Sequence, residues 1–456
     1  MRLTIIIITA IFVAYCNATT HYVVPPGTAG VTPADPYTNW SIAGTNIIDV
    51  VNAAATSPAP RVVCVTNGTY YPTNQIYSTT AIALQSVNGR DKTVLDGMAR
   101  TNNRCVQVLN NVAGAIFDGF TLTNYNYTAD YGLVLGIQNV KNCLFADNSL
   151  KGGSVYSSGI RSLSVTNCIF RNNAGQSAPG IFANAPTPSV LITDCHFENN
   201  RAVYFFAGAC DVRSSNNVIS NCVFTNNRSI LESGGAINFD TGTTNNLVVG
   251  CMFVNNKAEK FGGALRARGA RTTIENCRIS GNMVTNIGGG IWGTNMTIRN
   301  CLIVQNQALT NIGGGIWMTN STIESCTIIS NYAGIAGGGL YIDGLGSSGT
   351  NNIIYFNTAV NAANFTNTGG NTGLNYSCVI PVVGGMGNIT NNPVLKDLAG
   401  GDYRLRMTSP CVNAGTNQLW MTNAVDLAGN ARILKTIVDM GAYETRLWQG
   451  TIFKVP

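Results

Sequence analysis

Ten residues recur at intervals that could bring them onto one surface: Asn238 and Asp240, Arg266 and Arg268, Trp292 and Thr294, Trp317 and Thr319, Tyr341 and Asp343. Each pair follows a glycine pair or run and alternates with Ile237 and Phe239, Leu265 and Ala267, Ile291, Ile316 and Met318, or Leu340 and Ile342. Successive side chains of an extended strand point to opposite faces, so the aliphatic set is expected inward and the ten residues outward. Aromatic faces with hydroxyl and amide neighbours suit sugars, and guanidinium groups suit uronate or sulfate. Rings about 4.8 Å apart on adjacent strands also stack on one another, so a structural reading of Trp292, Trp317 and Tyr341 stands beside the ligand-binding one. For catalysis, Asp240, Arg266 and Arg268 are the adjacent outward set with which a site could begin. A glycosidase needs two carboxylates about 5–5.5 Å or about 6.5–9.5 Å apart, and no tight acidic cluster offers them. His21 and His196 have no obvious partner, and no metal-ligand spacing, phosphate-binding loop or serine elbow is present.

The element that must position these residues is a repeat. TIENCRISGN, TIRNCLIVQN and TIESCTIISN follow one another over residues 273–331, each leading to a glycine run closed by an aliphatic and an aromatic residue. Self-similarity at this period is the mark of a solenoid, in which each repeat buries its apolar face only against its neighbours. The key position runs from Gly119 through Cys143, Cys168, Cys195, Cys222, Cys251, Cys277, Cys301 and Cys326 to Asn352. An Asn follows five residues later at 124, 148, 173, 200, 227, 256, 282, 306, 331 and 357, which predicts an amide ladder. The next inward position carries Leu122, then Phe145, Phe170, Phe197, Phe224 and Phe253, then Ile279, Ile303, Ile328 and Ile354. Coils of about 26 residues suit three short strands and three turns, a solenoid in an all-β chain. Glu275, Arg299 and Glu324 occupy one place in consecutive coils, and an alternating charge ladder explains them better than catalytic carboxylates do.

Around this core the chain divides as an export signal (1–18), an N-terminal cap with a short amphipathic helix (19–60), the β-helix (61–357), loop-rich final coils and a C-terminal cap (358–445), and a tail (446–456). The signal is read from Arg2, the apolar run from Leu3 to Val13, and Cys16-Asn17-Ala18; Tyr15 argues against lipidation of Cys16. With no other long apolar run, no transmembrane segment is expected in the mature chain, which should be secreted or held at the cell surface. A net charge of +6, mostly dispersed, is too weak a basic bias for nucleic acid. A monomer is expected. Of the fourteen cysteines, the eight in the column should remain thiols, because column neighbours lie about 4.8 Å apart and bridged Cβ atoms about 3.5–4.5 Å apart. Cys378 and Cys411 lie outside the column and are the one plausible disulfide.

The pairing of FENN, FTNN and FVNN with GGAI and GGAL resembles the repeats of chlamydial polymorphic outer membrane proteins, without their C-terminal β-barrel translocator. The coil pattern as a whole looks like right-handed parallel β-helix proteins of the pectate-lyase-like superfamily. The closing DYRLRMTSPCVNAG, VDLAGNARI and VDMGAYE segments resemble those of choice-of-anchor Q proteins. The resemblance implies an exported bacterial β-helix and brings no assigned reaction. A lyase of this superfamily would combine acidic Ca²⁺ ligands with an Arg or Lys base; otherwise no cofactor is expected. Two functions follow as expectations: a non-catalytic surface, adhesive or glycan-binding protein, or a lyase or hydrolase of an acidic polysaccharide.

Overall fold

The computed structural model describes residues 18–98, 104–108, 112–128, 132–159, 161–184, 187–370, 373–434 and 436–445. The expected export signal, up to residue 17, and the tail lie outside the described residues. Chain contacts define two compact units, residues 1–230 and 231–456. Each is a right-handed parallel β-solenoid in which strands pair with their equivalents one coil away, about 26 residues apart. One coil of the second unit reads Met296–Arg299, Leu302–Val304, Gln307–Ala308 and Ile316–Thr319. The first, second and last of these belong to three parallel sheets, here called first, second and third; the short strand adds a fourth, narrow ladder.

The interior columns explain why the chain closes this way. In the first unit Phe145, Phe170 and Phe197 stack on the next ring at 4.7–4.9 Å with planes within 3°. The equivalent Ile279, Ile303, Ile328 and Ile354 of the second unit are fully buried. Beside them, Asn148, Asn173 and Asn200 each donate Nδ2–H to the next amide oxygen at 2.9–3.0 Å. The second unit continues the pattern through Asn256, Asn282, Asn306 and Asn331 at 2.9–3.0 Å. Each oxygen also accepts a backbone N–H and each amide also caps a carbonyl, as Asn306 does with Asn282 N–H at 2.9 Å and Ile279 C=O at 2.9 Å. A buried polar column is therefore satisfied throughout, which is the condition for tolerating it.

At one end the register differs from expectation. Thr121 pairs with Leu144, so Phe120 and not Gly119 aligns with Cys143, and Tyr125 N–H rather than an Asn124 amide meets Asn148 Oδ1 at 3.0 Å. Gly119 instead occupies the corner before the column with φ of 80°, where later coils place Asn142 and Asn167 at 54° and 52°. The corner needs a left-handed residue, and Gly and Asn both supply one. Asn124 is exposed and donates to the Asp96 carboxylate at 3.2 Å.

The thirteen described cysteines are all thiols, including Cys378 and Cys411, the one pair for which a bridge is plausible from the sequence. In the column each S–H points to the carbonyl two residues back, as Cys301 does to Arg299 at 3.2 Å.

Near the N-terminus, Ile47–Thr56 is a helix capped by Asn46, with Ile47, Val50, Val51 and Ala54 buried. It packs on Thr19–Val23, Arg61–Val65 and Ile76–Ser78. His21, which shows no obvious partner in the sequence, is fully buried with both ring nitrogens engaged. Nδ1–H donates to the Pro36 carbonyl at 2.6 Å, and Nε2 lies 3.0 Å from Ser57 Oγ.

The C-terminal part lies along the side of the second sheet. Leu302, Val304, Ile329 and Ile353 point outward there, yet they are buried with Leu395, Tyr403, Leu405, Cys411 and Met440 in one cluster. Earlier in this unit the same outward positions hold Met252 and Arg278, which are exposed.

Candidate functional site

The third sheet of the second unit sets seven of the ten outward residues in register, and Asp240, Arg268 and Asp343 lie just past its strand ends. Asn238 pairs with Arg266, Arg266 with Trp292, Trp292 with Trp317 and Trp317 with Tyr341. Thr294 pairs with Thr319, one step further along the same strands. The inward partners Ile237, Phe239, Leu265, Ala267, Ile291, Ile316, Met318, Leu340 and Ile342 are all fully buried.

The outward face is not uniformly open. Asn238 and Arg266 are closed off at 0% and 3% exposure, and Trp317 retains only 9%. Arg266 Nη1–H donates to Asn238 Oδ1 at 2.6 Å, lies 3.6 Å from Asp240 Oδ1, and its guanidinium sits 5.7 Å from the Trp292 ring centre. Trp292 stacks on Trp317 at 5.1 Å and 6° and meets Phe261 at 4.9 Å and 33°. Both faces of Trp292 are therefore occupied, and its indole is presented as an edge. Phe261 escaped the sequence reading because it precedes the glycine pair; its signal was the match to Ile287, with which it forms a bridge.

What remains open is a ledge beside this wall. Arg268 and Asp343 are exposed, while Asp240, Thr294, Thr319 and Tyr341 are half-buried. Asp343 Oδ1 accepts from Thr368 Oγ at 2.9 Å, and burial with the Asp343 charge pushes the Tyr341 phenol up. The ledge can offer hydrogen bonds and the exposed Arg268 guanidinium. It is poorly set for acid–base work. Asp240 and Asp343 stand four strands apart, roughly 19 Å at the sheet spacing, outside any glycosidase separation. Of the three candidate catalytic residues, Arg266 is held against Asn238 and Asp240, while Arg268 stays exposed. Among the described residues no group of three or more His, Cys, Asp or Glu could hold a metal ion.

The Glu275, Arg299 and Glu324 column lies under other residues. Arg299 Nη2 pairs with Glu275 Oε2 at 2.8 Å and its guanidinium covers the Trp420 ring at 5.2 Å. Gln418 Nε2–H reaches Glu324 Oε1 at 3.3 Å, and burial raises the Glu324 carboxyl against the opposing pull of Arg299. Two cavities among the described residues exceed the size of a water site. One of about 200 Å³ lies in the first unit beside Thr45, Asn46 and Tyr71, and one of about 460 Å³ in the second beside Lys396, Arg404, Asn430 and Glu444. Neither touches the ledge.

Comparison with known proteins agrees with the architecture. Residues 101–262 match the family model for a right handed beta helix region. No curated protein matches the chain. Among solved structures it is similar to pectate lyase Pel9A, at 15% identity over 94% of this chain and 96% of that one, with a TM-score of 0.39. The catalytic domain of a GH87 α-1,3-glucanase follows at 14% identity, 72% and 67% coverage and a TM-score of 0.39. PfbA, a surface adhesin of Streptococcus pneumoniae, is similar at 11% identity, 74% and 89% coverage and a TM-score of 0.32. No helix among the described residues is long and apolar enough to cross a membrane.

Proposed function

We propose that this chain is an exported, non-catalytic β-helix that acts at the cell surface or outside it, binding an extended glycan along the third-sheet ledge. The observation that carries this reading is the ledge itself. Arg268, Thr294, Thr319 and Asp343 stand in consecutive coils with accessible polar atoms, beside a rigid wall of stacked indoles. A polymer laid along the solenoid axis would meet one hydrogen-bonding group per coil, with indole edges behind it. Ring-face stacking of a sugar on Trp292 is disfavoured, since Phe261 and Trp317 hold both faces. The alternative, a lyase or hydrolase of an acidic polysaccharide, rests on Asp240, Arg266 and Arg268; the pairing of Asp240 with Arg266 weighs against it.

The test is a glycan array with the purified chain, followed by assay of any bound polymer for unsaturated or reducing ends. Binding without cleavage, weakened about tenfold or more by Arg268→Ala with Thr319→Ala, is expected. Cleavage abolished by Asp240→Ala would replace this reading with the enzymatic one, and binding indifferent to both ledge substitutions would remove the ledge from consideration.

A further inference from the structure

The second unit buries one guanidinium among three carboxyl groups where its C-terminal segment meets the solenoid. Arg432, Asp426, Asp439 and Glu444 are 0%, 3%, 2% and 7% exposed. Arg432 Nη2 lies 3.2 Å from Glu444 Oε1, while Nη1–H donates to Gly441 C=O at 3.0 Å. Around this cluster the segment grips the coils beneath. Asn300 Nδ2–H donates to Val425 C=O at 2.8 Å, Gly441 N–H to Asn351 C=O at 2.7 Å and Ala442 N–H to Thr327 Oγ at 2.9 Å.

One positive charge cannot balance three negative ones in so dry a place, and the hydrogen bonds show which carboxyl gives way. Asp426 accepts from Ala428 N–H, Asn430 N–H, Asn430 Nδ2–H and Glu444 N–H at 2.6–3.0 Å. Asp439 accepts from Asn413 N–H and Thr445 N–H, both at 2.7 Å. Glu444 shares a single backbone N–H, that of Asp439, at 3.1–3.3 Å besides Arg432. Donors stabilise an ionised carboxylate, so Glu444 is the group least able to keep its charge. The facing groups from other elements do not change this. Asn300 and Thr327 are uncharged, and Lys396 and Arg404 line the adjoining 460 Å³ cavity, with Arg404 already paired to Asp402 at 2.5 Å. Burial, partly opposed by Arg432 and reinforced by Asp439, brings Glu444 up to about 8.

We propose that Glu444 is a proton-dependent clamp: protonated, it locks the C-terminal segment on the second sheet, and its ionisation loosens that segment while leaving the coils intact. The cavity beside it gives the proton a route to solvent. The sign follows from linkage. The closed form holds a proton that the open form, with an ordinary carboxyl near 4.3, has lost. Closure is therefore strongest below that value, weakens through the range between it and about 8, and levels off above.

Limited proteolysis of the full chain by thermolysin tests this, with cleavage inside residues 411–445 normalised to an unstructured peptide at each pH. The opening equilibrium of the natural chain should rise by about tenfold per pH unit between roughly pH 5 and pH 8, the slope for one proton. Glu444→Gln keeps the neutral shape and should flatten that slope, making the variant more resistant than the natural chain at pH 8. A flat profile for the natural chain, or an unchanged slope in Glu444→Gln, would overturn the proposal. A slope removed by Asp439→Asn instead would also overturn it, by assigning the proton elsewhere.

Discussion

The second and third sheets of the second unit are made by the same repeat, yet their outward faces differ. On the second sheet, Leu302, Val304, Ile329 and Ile353 turn the face apolar, and the C-terminal segment covers it with Leu395, Tyr403, Leu405 and Met440. On the third, Arg268, Thr294, Thr319 and Asp343 keep a polar ledge open while Trp292 and Trp317 close on each other. Inward chemistry is alike for both, because each sheet sends its own buried aliphatic column into the core, Ile279, Ile303 and Ile328 from the second and Ile291, Ile316 and Leu340 from the third. What separates a covered face from an available one is a few outward side chains per coil.

Four substitutions probe that difference, and the largest effect should come from the shared interior. Asn306→Ala removes an amide that bonds Asn282, Asn331 and the Ile279 carbonyl, and leaves buried partners unsatisfied. It should cost about 4 kcal/mol and disturb both faces alike, read as a lowered urea midpoint. Met440→Ala should cost about 3 kcal/mol, confined to the covered face, because Met440 is buried between the segment and the second sheet. Faster proteolysis of 411–445 with the coils still protected is the expected signature; loss of the whole fold would show that the two faces are not independent. Trp292→Ala should cost about 2 kcal/mol by breaking the stack with Phe261 and Trp317, lowering the midpoint while the C-terminal segment stays closed. Arg268→Ala, at an exposed position, should change stability by no more than about 0.5 kcal/mol. Any larger loss of glycan binding in that variant would belong to the site and not to the fold.

Much of this was legible beforehand because solenoid chemistry repeats in the chain itself. Cys277, Cys301 and Cys326, with Asn282, Asn306 and Asn331, announce their columns by spacing alone. The misplacement of Gly119 shows the limit of that method. Where the column residue changes type to Phe120, a conspicuous glycine one position away looks equally good until the strand pairing is known. Alternation likewise assigned Asn238 and Arg266 to the outward side, but it carries no information on whether an outward residue is later covered.

The sequence by itself determined the coil, its columns and the list of residues that face outward, since each depends on a period read within a few dozen residues. Only the tertiary structure decided which outward residues meet solvent. Thr327 is covered by Ala442, 115 residues away, and Asn300 by Val425, 125 residues away. Arg266 is closed by Asn238 and Asp240 one coil before it. Contacts of that kind are set by how the chain returns upon itself, and a repeating pattern holds no trace of the return.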